Sequence, residues 1–255
     1  QAYALSAALS AVAIALPLIA AFRLARPAPW RVAVAVLAVV IFQAMLGMWT
    51  VTLLLKPIVV MGHLLGGLLT LALLAYVAFG LSESRTPTPV QQNLKPLVIV
   101  GIALLAFQIA LGGWTSANYA ALACGFDFPQ CQGRWWPTTD FREGFVLWRG
   151  IGVNYEGGVL DLAARAAIQM AHRIGALVVF CYVGWLSHRA ARAGLRTLAI
   201  TLGVLLVLQI LLGIGNVKLA LPLIVATAHN GVAALLLLTL IALLVRTQSA
   251  PRVTT

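Results

Sequence analysis

Seven apolar stretches, each about as long as a bilayer-spanning helix, limit what this chain can fold into. They cover residues 2–21, 32–52, 57–80, 96–112, 164–186, 195–214 and 221–244. A helix needs about 20 apolar residues to cross the hydrocarbon core, and these stretches do not alternate polar and apolar positions as barrel strands do. Only 9% of the residues are charged. The sequence therefore predicts an all-α integral membrane protein with seven transmembrane helices.

The basic residues are concentrated in alternate short loops. These loops carry Arg23, Arg26 and Arg31, then Arg85 and Lys95, then Arg189, Arg192 and Arg196, and finally Arg246 and Arg252. The short loops between them hold only Lys56 and Lys218. Because lysine and arginine favour the cytoplasmic side, the C-terminus is predicted to be cytoplasmic and the visible N-terminus to be outside. Topology thereby explains the net charge of +11, and nucleic-acid binding is rejected.

Three histidines lie at a matching depth in three apolar stretches. His63, His172 and His229 are each about two turns inside the extracytoplasmic end, roughly 10 Å deep. Ionisable side chains at membrane depth are rare and usually functional, and histidines from several bundle helices hold metal ions or haem. The alternative is a hydrogen bond between helices. His188, beside Arg189 in a basic loop, is interpreted as solvated.

In three places a glutamine is followed four residues later by a glycine and, further along, by one of these histidines. The three sets are Gln43, Gly47 and His63; Gln108, Gly112 and His172; and Gln209, Gly213 and His229. The first and third sets have identical spacing. The repeat predicts two related helical halves, each with a pair of histidines. Because the first half shows only His63, we expect a further N-terminal segment with one more span and a fourth histidine.

Small residues follow each histidine on the same helix face. They are Gly66 and Gly67, Gly175 and Ala176, and Gly231 and Ala233. A shallow surface beside an imidazole suits a flat macrocycle, but small residues also let membrane helices approach closely. Zinc is less favoured, because no carboxylate or cysteine is predicted at the histidine level to complete a tetrahedral site.

The longest loop, at 113–163, is predicted to be extracytoplasmic and holds five of the six acidic residues. Cys124 and Cys131 would lie there in an oxidising compartment, which predicts a disulfide; a metal site and two free thiols are the alternatives. Glu156 and Asp161 are candidate acid–base groups, although a solvated loop face is the favoured interpretation. Cys181, inside an apolar stretch, is interpreted as a small core residue.

Five segments together resemble bacterial haem A synthase. They are Phe-Gln-Ala-Met-Leu-Gly-Met-Trp-Thr-Val at 42–51, Lys-Pro-Ile-Val-Val-Met-Gly-His at 56–63, Leu-Gly-Gly-Trp-Thr-Ser-Ala-Asn-Tyr at 111–119, Met-Ala-His-Arg at 170–173 and Ala-His-Asn at 228–230. The resemblance covers essentially the whole chain. It implies eight transmembrane helices in two four-helix bundles related by pseudo-twofold symmetry. Residues 1–90 would form an incomplete N-terminal half on the substrate side, and residues 91–255 the C-terminal bundle with the loop at 113–163.

The resemblance also implies roles for individual residues. His172 and His229 would be the axial ligands of a b-type haem. His63 would ligate the substrate haem in the N-terminal half and so take the catalytic position. Arg173, next to His172, is a candidate partner for a haem propionate; the alternative is that it extends to lipid headgroups.

The family's later cysteine pair corresponds to Cys124 and Cys131. Two family elements have no counterpart in this chain: a Glu-x-x-His motif, and a first extracytoplasmic loop with its own cysteine pair.

Members of the family oxidise a ring methyl of haem O to the formyl group of haem A for terminal oxidase assembly. The resemblance therefore implies a haem A synthase of the bacterial cytoplasmic membrane, with haem b as cofactor, haem O as substrate and haem A as product. Its expected partners are haem O synthase and oxidase assembly factors. The alternative is a dihaem cytochrome b that only transfers electrons. A transporter is disfavoured, because no helix shows a clear acidic site at its midplane.

Overall fold

The computed structural model of the protein describes residues 30–82 and 86–248, with side chains from residue 38 onward. Within this part the long helices are α1 (Trp30–Thr52), α2 (Pro57–Ser82), α4 (Lys95–Ala117), α6 (Leu162–Arg192), α7 (Arg196–Lys218) and α8 (Leu223–Arg246). Two one-turn helices, α3 (Pro89–Gln92) and α5 (Phe141–Gly144), lie between them. Six of the predicted spans are thereby confirmed as helices, and the seventh, at 2–21, lies outside the described residues.

Length and composition make most of these helices suitable for crossing a membrane. The qualifying segments are α2, α3 together with α4, α6, α7 and α8, while the apolar part of α1 with described side chains, Ala38–Thr52, is shorter. Large apolar side chains such as Leu223 and Ile224 are exposed on the outer surface, as expected where lipid replaces water. The protein is therefore an all-helical, multi-pass membrane protein.

Helix α6 is longer at both ends than its apolar stretch. The carboxylate of Asp161 accepts a hydrogen bond of 2.8 Å from the backbone N–H of Ala164, which caps the first turn. At the other end the helix continues through Arg189 and Arg192, cations that suit the negative end of a helix dipole. Gly194 then adopts a φ of +83°, which allows the sharp turn into α7.

The last four long helices surround the largest buried cluster. This cluster includes Val98, Val183, Leu186, Leu202 and Leu240, contributed by α4, α6, α7 and α8. Helix α1 packs on α2, and α2 in turn contacts both α4 and α8. The α1–α2 pair is therefore joined to the four-helix group through α2.

Cys181 corrects one expectation from the sequence. Its side chain is exposed on α6, so the interpretation as a core residue is wrong. In a membrane helix lipid is as apolar as the core, and an apolar residue type does not indicate which way it points.

The segment at 118–161, called the covering loop below, connects α4 to α6 across one end of the bundle. The indole N–H of Trp114 donates to the carbonyl of Gly144 at 2.9 Å. Tyr155 is only 2% exposed, and its backbone N–H donates to the carbonyl of Leu54 at 3.1 Å. The covering loop therefore contacts both the α1–α2 turn and the α4–α6 pair.

Candidate functional site

The three repeated sequence sets correspond to three contacts in space. A Cβ atom built on Gly47 would lie 3.3 Å from Cε1 of His63. The same construction on the two other glycines gives 3.1 Å between Gly112 and His172, and 3.1 Å between Gly213 and His229. Each glycine thus supplies the bare backbone against which one imidazole ring lies. The contacts join α1 to α2, α4 to α6, and α7 to α8.

The glutamines of two sets hydrogen-bond to their histidines. Nε2 of Gln108 lies 3.0 Å from Nδ1 of His172 and donates to the carbonyl of the same residue at 2.9 Å. Nε2 of Gln209 lies 3.2 Å from Nε2 of His229. The Oε1 atoms of both glutamines are buried and lack a hydrogen-bond partner among the described residues. Rotation of either amide would exchange donor and acceptor beside the imidazole.

The first set has a related but different arrangement. Gln43 lies directly against Gly66, as Gln108 lies against Gly175, and in both cases the glycine is three residues after the histidine. Both polar atoms of the Gln43 side chain are buried without a hydrogen-bond partner in the described part of the chain. The glycine three residues after each histidine (Gly66 or Gly175) therefore leaves space for the glutamine side chain. The glycine four residues after each glutamine leaves space for the imidazole.

Two of the three histidines belong to the four-helix group. His172 on α6 and His229 on α8 are both partly buried. Nδ1 of His229 is buried and has no hydrogen-bond partner in the described region. Among the described residues, no three His, Cys, Asp or Glu side chains are grouped as metal ligands. The arrangement is therefore a pair of imidazoles from α6 and α8.

His63 belongs to a separate environment and is exposed. Its ring lies against Gly47 on α1, whereas the His172 ring lies against Gly112 on α4. The residue after it, Leu64, is the one that faces α4, where a Cβ on Gly113 would lie 2.9 Å from its Cδ2. His63 therefore belongs to the α1–α2 pair, and the two other histidines belong to the four-helix group.

Arg173 is held by the covering loop. Its guanidinium donates to the carbonyls of Asp127 at 2.9 Å, Gln130 at 2.9 Å and Pro129 at 3.3 Å. The alternative that Arg173 extends to lipid is therefore wrong, because backbone carbonyls occupy its terminal nitrogens. Its Nε is buried and unpartnered within the described residues, so one donor next to His172 is still available.

The loop that binds Arg173 is closed by the predicted disulfide between Cys124 and Cys131. Both cysteines are almost fully buried and pack against Met170 on α6. The disulfide prediction is confirmed, and the structure adds what the sequence could not show. The bridge closes the short segment whose carbonyls bind the residue after His172.

The other candidate polar groups have structural or solvated positions. Asp161 caps α6, as described above, and Glu156 is exposed, in agreement with the interpretation of both as a loop face. His188 is also exposed. One residue of interest was not singled out from the sequence: Lys56 is 1% exposed, although it is charged. The signal that points to it is a lone lysine in a short turn, immediately before the proline that begins α2.

Together these features define a class of protein: a multi-pass helical membrane protein with histidines set between helices near a disulfide-closed loop. A family model described as cytochrome oxidase assembly protein, COX15-CtaA, matches residues 3–241. The chain belongs to this family.

Three curated relatives, all called haem A synthase, are similar to the chain. The protein of Shewanella oneidensis is 45% identical over 217 residues, which cover 84% of this chain and 66% of the relative. The proteins of Maricaulis maris and Rhizorhabdus wittichii are 31% and 27% identical, over 66% and 70% of this chain. The chain spans about half the length of these last two relatives.

Proposed function

We propose that the protein is a haem A synthase, which oxidises a ring methyl of haem O to the formyl group of haem A for terminal oxidase assembly. Membership of the family and the shared name of three relatives support this activity. The observation that carries it is the placement of the imidazoles in two separate groups of helices: His63 lies between α1 and α2, and His172 and His229 lie in the four-helix group. A synthase of this kind needs two porphyrin positions, one for a resident cofactor and one for the substrate.

The His172–His229 pair fits a resident haem b. Imidazoles from two bundle helices are a common way to hold a haem iron on both faces, and here each ring lies against a glycine that leaves no side chain beside it. Bound haem would supply one-electron redox chemistry, which is the cofactor's own. The protein's contribution is the position and orientation of the two rings.

Gln108 is suited to orient His172 for that task. A ligating histidine usually hydrogen-bonds through its second ring nitrogen, and this contact fixes the ring and its tautomer. Gln108 lies at Nδ1, which would leave Nε2 as the nitrogen available to the iron. With the amide rotated, Oε1 of Gln108 would accept the Nδ1 proton that an Nε2 ligand carries.

His63 is the proposed ligand of the substrate porphyrin. It is exposed in its own environment, and its ring position is set by Gly47. Arg173 is the proposed partner of a propionate of the resident haem, through the Nε that the covering loop leaves unpaired.

The proposed location is the bacterial cytoplasmic membrane, with the covering loop outside and the C-terminus in the cytoplasm. The alternation of basic loops supports this orientation. Haem O synthase would then supply the substrate, and oxidase assembly factors would receive the product.

The test is extraction of the haems bound to the purified protein. The complete gene product is expressed in a bacterium that makes haem O but lacks its own haem A synthase. It is then purified, and the extracted haems are separated and identified by mass spectrometry. We expect haem A from the wild type, and haem B without haem A from His63→Ala. His188→Ala is the matched control and should resemble the wild type.

Two other outcomes would change the assignment. Haem B without any haem A from the wild type would identify an electron-transfer cytochrome instead. Loss of bound haem B with normal haem A in His63→Ala would reverse the roles of the two histidine environments.

A further inference from the structure

Lys56 is a buried cation without a hydrogen-bond partner. It is 1% exposed, and its Nζ has no acceptor within the described region. The Nζ lies 3.4 Å from the ring centroid of Trp148 in the covering loop. A cation–π contact offsets only part of the cost of removing an ammonium from water. The three N–H donors of Lys56 are therefore available to an anionic group.

The cleft around Lys56 carries a net positive charge, which is that of Lys56 itself. Pro57, Trp114, Asn118, Leu147 and Arg149 line the narrow cleft around it, which has no space for a water molecule. The nearby carboxylate of Glu143 is already bound by Arg149 at 2.6 Å. Because Glu143 is already paired with Arg149 and Lys56 has no ion-pair partner among the described residues, an anion that enters the cleft would meet a net positive charge. The anion would have to displace the Trp148 ring from Nζ of Lys56.

Lys56 immediately precedes α2, and His63 lies about two turns into that helix. The two residues are therefore separated by roughly 10 Å along the axis of α2. A porphyrin carries both propionates on one edge of its ring. With the iron at His63 and that edge directed to the start of α2, the carboxylates would lie at the level of Lys56.

We propose that Lys56 binds a propionate carboxylate of the porphyrin seated at His63, and that the Trp148 ring covers the ammonium when that site is empty. The proposal rests on the proposed function, and it assigns the carboxylate subsite of the substrate. An ammonium suits a carboxylate through charge-assisted hydrogen bonds. Exchange of Trp148 for the carboxylate would also couple porphyrin binding to the covering loop.

The experiment uses the complete protein with its resident haem bound. Haem B, which shares both propionates with haem O, and haem B dimethyl ester, which lacks their charge, are the probes for a second equivalent. Binding is followed by difference absorption spectra. We expect the wild type to bind the acid about ten- to a hundredfold more tightly than the ester.

Variants at Lys56 identify the source of this preference. Lys56→Met and Lys56→Gln should bind acid and ester with similar affinity, whereas Lys56→Arg should keep the preference. Lys218→Met is the matched control, because Lys218 is a lone lysine near the turn between α7 and α8, as Lys56 is in the turn between α1 and α2, but it is exposed. It should behave as the wild type does.

Several outcomes overturn the proposal. They are an undiminished acid preference in Lys56→Gln, an equal loss in Lys218→Met, and release of the resident haem from both Lys56→Gln and Lys56→Arg. The proposed function fails separately. If the wild type makes no haem A while the acid preference still depends on Lys56, the carboxylate subsite stands and the synthase activity does not.

Discussion

Gly112 on α4 lies against the imidazole of His172 on α6, although the whole covering loop separates the two residues in the sequence. A Cβ atom at Gly112 would lie 3.1 Å from Cε1 of the ring. The same relationship holds in the two other helix pairs. The repeated spacing of glutamine, glycine and histidine in the sequence therefore corresponds to three contacts between pairs of helices.

The first prediction tests this contact. Gly112→Val places a branched side chain where the His172 ring lies, and overpacking of this kind costs about 1–3 kcal/mol of stability. We expect the ring to be displaced and the purified protein to lose most of its haem B, measured as the pyridine haemochrome. Gly67→Val is the control, because nothing lies within 4 Å of a Cβ at Gly67. Equal haem contents in the two variants would show that the glycine contact has no role in cofactor binding.

The second prediction concerns the imidazole pair. His172→Ala and His229→Ala each remove one proposed axial ligand, so either variant should lose the low-spin b-type spectrum. Membrane insertion should be unchanged, because the helices keep their apolar length. Absorption spectra of membranes, normalised to protein by immunoblot, provide the measurement. An unaltered spectrum in both variants would sink the axial assignment.

The third prediction concerns Gln108. Gln108→Leu removes the hydrogen bond to Nδ1 of His172, and loss of such a partner typically weakens metal binding by about 10–100-fold. We expect a corresponding loss of haem affinity, together with a shifted midpoint potential of whatever haem remains. Gln91→Leu is the control: it also breaks a hydrogen bond between chain segments, from Nε2 of Gln91 to the carbonyl of Ala193, at a site remote from the histidines. A midpoint potential that is the same in both variants would mean that Gln108 does not orient the ligand.

Much of the fold could be predicted because the physical signal is local. Each long helix contains an apolar stretch that must satisfy its backbone hydrogen bonds internally, so the existence of α6 was clear from residues 164–186 alone. Its ends were not, because the cap by Asp161 and the final turn with Arg192 are polar. In the same way, apolar character could not tell whether Cys181 points to lipid or to the core.

The site was only partly predictable for a different reason. The histidine depth and the grouping of Gln108 with His172 could be read from the sequence, but the hydrogen bond from Gln108 to Nδ1 could not, since the covering loop interrupts the spacing between the two residues. Arg173 binds backbone carbonyls, which every residue carries and which therefore leave no trace in the sequence. The burial of Lys56 depends on Trp148, and that contact exists only once the loop has folded over α2.

The last prediction concerns the disulfide between Cys124 and Cys131. This bridge closes the segment whose carbonyls bind Arg173, and loss of a native disulfide commonly costs about 2–4 kcal/mol. Cys124→Ser should therefore release Arg173, and lower heat stability and haem retention before it eliminates turnover. Cys181→Ser is the control, because Cys181 is a free, exposed thiol and its loss should change neither property.

Thiol labelling provides the direct check of the bridge. Of the three cysteines in this sequence, only Cys181 should label in the denatured wild type without reductant, and Cys124 and Cys131 should label after reduction. Arg173→Gln distinguishes the effect of the disulfide from the effect of the Arg173 hydrogen bonds. This variant should keep the labelling pattern of the wild type but lose haem as Cys124→Ser does. If Arg173→Gln keeps its haem at elevated temperature while Cys124→Ser loses it, the disulfide does not act on the haem site through Arg173.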